Sequence, residues 1–130
     1  MSSNPGYTVE AHGNVDDAVE RLTKELSAKG FGVLSNINVK KIIKDKLGQD
    51  MDGYVLLDVC NPRHAKKAID SHKEVGLVLP CKIMVYEDKK KTWISLYKPT
   101  EAIKSLGFSD LDSLATEVEE QLEQALNSSR

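Results

Sequence analysis

Residues 59–64 read Val-Cys-Asn-Pro-Arg-His, and this run holds the side chains best suited to chemistry in a chain of 130 residues. Asn61 is a natural helix N-cap and Pro62 a natural first helical residue, because a fixed φ suits the first turn and the missing N–H costs nothing there. Cys60 then lies just before the unpaired N–H groups and positive dipole end of a helix. Such a place favours thiolate over thiol and can pull a cysteine well below its free pKa of about 8.5. His64 falls in the first turn. The plainer alternative is a small buried Cys60 and a surface His64, since many strands run into helix starts without any function.

The second thiol ends the run Gly-Leu-Val-Leu-Pro-Cys, residues 76–81. Pro80 removes a ladder donor at the mouth of a strand, which suits an edge or a bend. A bend there brings Cys81 toward Cys60, as a redox pair, a metal half-site or a packed couple. Parity opposes the first two. Cys60 falls with Tyr54, Leu56 and Asp58, whereas Cys81 falls with Ile83 and Val85 on a core face, so regular strands point the thiols to opposite sides. The spacing also lacks the C-x-x-C of a thioredoxin-like site. For zinc the inventory is Cys60, Cys81, His12, His64 and His72, with no finger or knuckle spacing, so no metal site is expected. A Cys60–His64 dyad has no evident orienting third group. Gly30-Phe31-Gly32 precedes a strand and reads as helix stop and strand entry rather than a phosphate loop. No motif identifies a cofactor.

The elements that must position these residues follow from periodicity. Tyr7, Val9 and Ala11 alternate as a strand, and Asn14 with Asp17 resembles a capping box. Val15, Ala18, Val19, Leu22 and Leu26 make one helical stripe that Gly30 is placed to end. Phe31 to Val39 reads as a strand with Val33, Ile37 and Val39 on one face, followed by a short helix, Lys40 to Leu47, closed by Gly48. Tyr54 to Cys60 is the most apolar strand, and a helix runs from Pro62 to about Lys73. Lys82 to Glu87 and Thr92 to Tyr97 form a hairpin with a five-to-six-residue connection across the lysine-rich tip. Pro99 opens a short helix. Ser109 caps a last, amphipathic one whose outer face carries Glu117, Glu119, Glu120 and Glu123, with Asn127 to Arg130 frayed. The order β-α-β-α-β-α-β-β, ending in helices, predicts a single compact α+β domain over residues 1–130. Its sheet carries helices mainly on one face and a C-terminal amphipathic helix.

Composition narrows the classes. There are 18 Lys+Arg against 20 Asp+Glu, a net charge of -2, with 40% hydrophobic and 29% charged residues. Residues 40–98 carry an excess of five positive charges and residues 99–130 an excess of five negative ones. The tail is the wet face of the last helix, and the basic middle is spread over solvated faces. Aromatic residues are 5%, with no aromatic–basic interleaving, so nucleic acid is not expected as a partner. No stretch is long and apolar enough to span a membrane, and the N-terminus lacks a signal-peptide pattern.

Three ordered motifs carry a resemblance: Gly30-Phe31 opening a strand, Cys60-Asn61-Pro62 after the central strand, and Leu79-Pro80-Cys81 before the hairpin. Together with the acidic last helix, the chain resembles the small bacterial and archaeal family catalogued as domain of unknown function 302. The resemblance implies a compact α+β fold and a homodimer, and no reaction. The functional expectation is a cytosolic, non-catalytic, dimeric domain. It would bind a small-molecule ligand or partner near Cys60, Asn61, Pro62, His64, Pro80 and Cys81. The alternatives are a thiol-dependent enzyme or redox sensor using Cys60, and metal or haem binding.

Overall fold

The computed structural model describes residues 4–130. Its strands are β1 (Gly6–Ala11), β2 (Gly32–Asn38), β3 (Tyr54–Cys60), β4 (Cys81–Asp88) and β5 (Lys91–Tyr97). Its helices are α1 (Val15–Ala28), α2 (Val39–Leu47), α3 (Pro62–Ser71), α4 (Pro99–Lys104) and α5 (Asp112–Ser129), with short 3-10 turns at Lys73–Leu77 and Ser109–Leu111. The strands form one fully antiparallel sheet in the order β1-β5-β4-β3-β2. The expected α+β architecture is what the chain adopts.

Local signals account for most boundaries. Asn14 and Asp17 close a reciprocal capping box at the start of α1. At its end Gly30 takes φ +84°, the Phe31 N–H reaches the Leu26 carbonyl at 2.9 Å and the Gly30 N–H reaches Ser27 at 3.0 Å. This is a Schellman ending, with Leu26 and Phe31 buried as its apolar pair. Gly48 ends α2 in the same left-handed region.

β1 and β2 sit at opposite edges of the sheet, so α1 must cross every strand between them. Four strand spacings come to roughly 19 Å, and fourteen helical residues span roughly 21 Å. Along this crossing Ala18, Leu22 and Leu26 are fully buried, against Val9, Leu57, Ile83, Val85, Ile94 and Leu96 of the sheet. Leu122, Ala125 and Leu126 of α5 complete the layer. Each fully buried aliphatic side chain of this size contributes roughly 1.5–3 kcal/mol. A second, smaller cluster joins Ala68, Val75, Ile103, Leu111 and Ala115, and Leu114 touches both.

Among the described residues, the opposite sheet face carries no comparable cover. Cross-strand register places Ile37, Tyr54, Leu56, Met84, Tyr86 and Trp93 there, all half-buried. Asp58 lies among them, accepting from Ser35 Oγ at 2.6 Å and paired with Lys82 Nζ at 2.7 Å. The Lys82 hydrogen bond, then that of Ser35, holds its carboxyl below the usual range.

Five expectations change. Ser109 does not cap the last helix: it lies inside the 3-10 turn, and α5 starts after Leu111 with no side-chain cap bond. A bulge at Leu34 breaks the β2–β3 register, so Val33 faces Val59 on the helix side while Ile37 faces Leu56 on the open side. Val33 and Ile37 therefore do not share a face. The hairpin connection is two residues long, Lys89 and Lys90, both at positive φ (54° and 66°), with Asp88 paired to Lys91. The C-terminus is ordered: Ser129 is buried, its carbonyl accepts from Arg21 Nε at 2.7 Å, and Asn127 Oδ1 accepts from the Tyr7 hydroxyl at 2.9 Å. Glu119 is more than a solvated charge, because it accepts from the Thr100 N–H at 3.0 Å and the Thr100 hydroxyl at 2.6 Å in the first turn of α4.

Candidate functional site

β3 runs into the end of the sheet where β4 begins, because the two are antiparallel neighbours. Val59 pairs directly with Cys81, which puts Cys60 and Cys81 at one sheet end although α3 and its following turn lie between them. The parity argument holds along the ladder: Cys81 takes the core face with Val59, and Cys60 stands opposite Gly32. It does not keep the residues apart, since both line one cavity.

That cavity lies at the seam between the two apolar clusters. Its volume is about 60 Å³. Phe31 and Val118 wall it on the side of the larger cluster, and Ile103 and Leu111 on the side of the smaller one. Three alanines, Ala65 and Ala68 on α3 and Ala115 on α5, leave the space open where larger side chains would fill it. Cys60, Asn61, His64 and Cys81 belong to the lining; Pro62 and Pro80 do not. Pro62 occupies the first turn of α3, and the Leu79–Pro80 peptide is cis.

Asn61 works as the cap its position predicts. Its Oδ1 accepts from the N–H groups of Arg63 (3.1 Å) and His64 (3.3 Å), and its Nδ2 donates to the Lys29 carbonyl at 3.5 Å. A Cβ at Gly30 would stand 3.2 Å from that Nδ2, so the glycine both reverses the chain and admits the clamp between α1 and α3.

The thiols do not behave as a helix start alone would make them. Burial raises Cys60, and it raises Cys81 to about 11, with the neighbouring Cys60 adding to the second shift. Desolvation disfavours the thiolate, in the direction opposite to the lowering expected from a helix start. Both cysteines are free.

His64 is the polar residue the cavity singles out. Its side chain is only 15% exposed. Nε2 lies 3.0 Å from Gln121 Oε1 and 3.6 Å from Glu117 Oε2, both on α5, and the ring tilts toward Phe31 at a centroid distance of 6.1 Å. Nδ1 is buried with no partner. Sequence reading located His64 and missed Gln121, Glu117 and Phe31. Nothing in the apolar stripe or acidic face of the last helix marks which residues turn toward a histidine 57 positions away.

The other histidines lie elsewhere. His72 stacks on Phe108 with ring centroids 3.8 Å apart and bonds Asp110 through Nε2 at 2.9 Å, tying the end of α3 to the turn before α5. Among the described residues no group of three or more His, Cys, Asp and Glu side chains is arranged to hold a metal ion. No described helix is long and apolar enough to cross a membrane.

The family described as Domain of unknown function DUF302 matches residues 7–129 of the chain. A crystal structure of an uncharacterized conserved protein DUF302 from Bacillus stearothermophilus is similar at 32% sequence identity and a TM-score of 0.93, over 98% of this chain and 100% of that one. No curated protein matches the chain.

Proposed function

The chain belongs to the DUF302 family, and from that premise we propose that it is a non-catalytic, dimeric, cytosolic domain that binds a small ligand between β3, β4, α3 and α5. One observation carries this reading: a half-open apolar cavity meets two thiols and a buried imidazole at a single sheet end. Apolar walls with a few convergent polar groups are what ligand sites offer. At about 60 Å³ the space exceeds what one water needs and falls well short of the roughly 150 Å³ that holds benzene, so the part of a ligand it takes has a few heavy atoms. Two unpaired cysteines suit a reducing compartment, which supports the cytosolic placement.

The thiol-dependent alternative needs an available thiolate, and burial works against one at both cysteines. Haem far exceeds the cavity. Xenon, apolar and polarisable, tests the binding reading directly. A crystal pressurised with xenon should show it between Cys60, His64 and Ala115, and an Ala115→Leu variant should exclude it. A cavity that stays empty under xenon in the unsubstituted protein sinks the proposal.

A further inference from the structure

We infer that the cavity receives the methyl end of an aliphatic chain, and that the chain runs out past Leu79 to Leu77, leaving its polar group in water. This rests on the binding reading above and adds the chemical class.

The walls turn their polar atoms away from the interior. Asn61 commits Oδ1 to the N–H groups of Arg63 and His64, and it points Nδ2 at the Lys29 carbonyl. His64 directs Nε2 to Gln121 on α5, and its Nδ1 is buried out of reach of an occupant. No lining residue is Lys, Arg, Asp or Glu. The thiols keep their protons at neutral pH, because burial raises both. What the interior presents is therefore carbon and thiol sulfur. A carbonyl, hydroxyl or charged group placed there would lose its water and gain no partner, whereas a methyl or methylene gains by leaving water.

The apolar surface does not stop at the cavity wall. Leu79 lines the cavity, and Val78 and Leu79 pack with Val75 in the smaller cluster that forms one side of it. Leu77, in the same run, is 79% exposed, the most exposed large apolar side chain among the described residues. Residues 75–80 carry no charged or polar side chain. A single exposed leucine is ordinary. One that stands two residues from the wall of an apolar cavity extends that wall into solvent. The cavity holds only a few heavy atoms, so a chain that fills it continues along this strip, with its polar end beyond Leu77.

Straight-chain 1-alkanols carry one head on tails of graded length. Titrated into the ¹³C-methyl-labelled full chain and followed by NMR, 1-hexanol should bind at least about tenfold more tightly than 1-propanol. A fully buried methylene gives about fourfold, and the three extra ones are covered on one side only. Nuclear Overhauser contacts from the terminal methyl of hexanol should reach Ala115, and those from its first carbon should not. Leu77→Ser, a change at an exposed position, should cut the hexanol advantage to about threefold or less. Ala115→Leu should abolish binding of both alcohols, and Ala65→Leu, on the half-buried side of the wall, covers the case in which that variant fails to fold. Equal affinities for the two alcohols, or a hexanol that enters hydroxyl first, overturn the chain inference and leave the cavity as a binding site. So does an advantage that Leu77→Ser does not reduce. Binding that survives both alanine variants shows that the alcohols sit elsewhere, and overturns it too. Failure of both alcohols in a protein that takes up xenon overturns this inference alone. Failure of the alcohols and of xenon together overturns the binding reading itself.

Discussion

At the scale of single residues, burial raises both thiols of the site. Cys60, Asn61 and Pro62 stand where a cap-and-proline start puts them, yet neither thiol is made acidic. Cys81, at about 11 against an ordinary 9.0, binds its proton more tightly in the folded chain than in the unfolded one. Its contribution to stability is therefore complete below pH 9 and is lost as pH rises from 9 toward 11. The loss is on the order of 2 kcal/mol. Urea midpoints at pH 8.5 and pH 11 should fall further in the unsubstituted protein than in Cys81→Ala, since lysines and tyrosines titrate alike in both. Parallel losses would refute the raised thiol. Asn61→Ala should cost about 1–2 kcal/mol in the same assay, because it removes the acceptor for two N–H groups and the donor to Lys29 at once. A loss under 0.5 kcal/mol would show that water replaces the cap.

At the scale of elements, the hairpin between β4 and β5 holds a correctable fault. Lys89 and Lys90 both sit in the left-handed region, where a two-residue turn prefers Asn-Gly. Replacing the pair by Asn-Gly should raise stability by about 1 kcal/mol, seen as a melting temperature several degrees higher. An unchanged or lower temperature would mean that the turn differs from the one described. The element pattern was legible because its signals are local. Asn14 with Asp17, Gly30, Gly48, and Asn61 with Pro62 each act within a few residues, and each marks the boundary it predicts. The bulge at Leu34 and the tight hairpin were hidden for the opposite reason. Both are set by register with a neighbouring strand, which the periodicity of one strand does not contain. The cavity was half legible on the same principle. Cys60 and Cys81 could be named, but their meeting depends on β3 and β4 being antiparallel neighbours.

At the scale of the whole molecule, the open sheet face is the surface that fits the proposed dimer. Five strands about seven residues long give it a projected area of roughly 550 Å², which corrugation raises toward the roughly 800 Å² per partner of a standard interface. Leu56 and Met84 are adjacent on it and half-buried, and the Asp58–Lys82 pair is matched within one chain, so that pair stays satisfied when two such faces stack. Sedimentation at micromolar concentration should give a dimer, and Leu56→Lys should give a folded monomer. A monomer in the unsubstituted protein rejects the dimer, and a dimer that survives Leu56→Lys places it elsewhere. The crossing of α1 has a consequence of another kind, in the order of synthesis. β1 and β2 leave the ribosome first, and α1 carries them to opposite edges of a sheet whose middle has not yet been made. β2 gains a neighbour once residues 54–60 emerge, but Tyr7 pairs with Leu96, so β1 must wait for β5. Such long-range closure is the slow step of small domains. The first strand to appear is thus the last to be paired, and a stall before residue 91 would leave its ladder groups open to another chain.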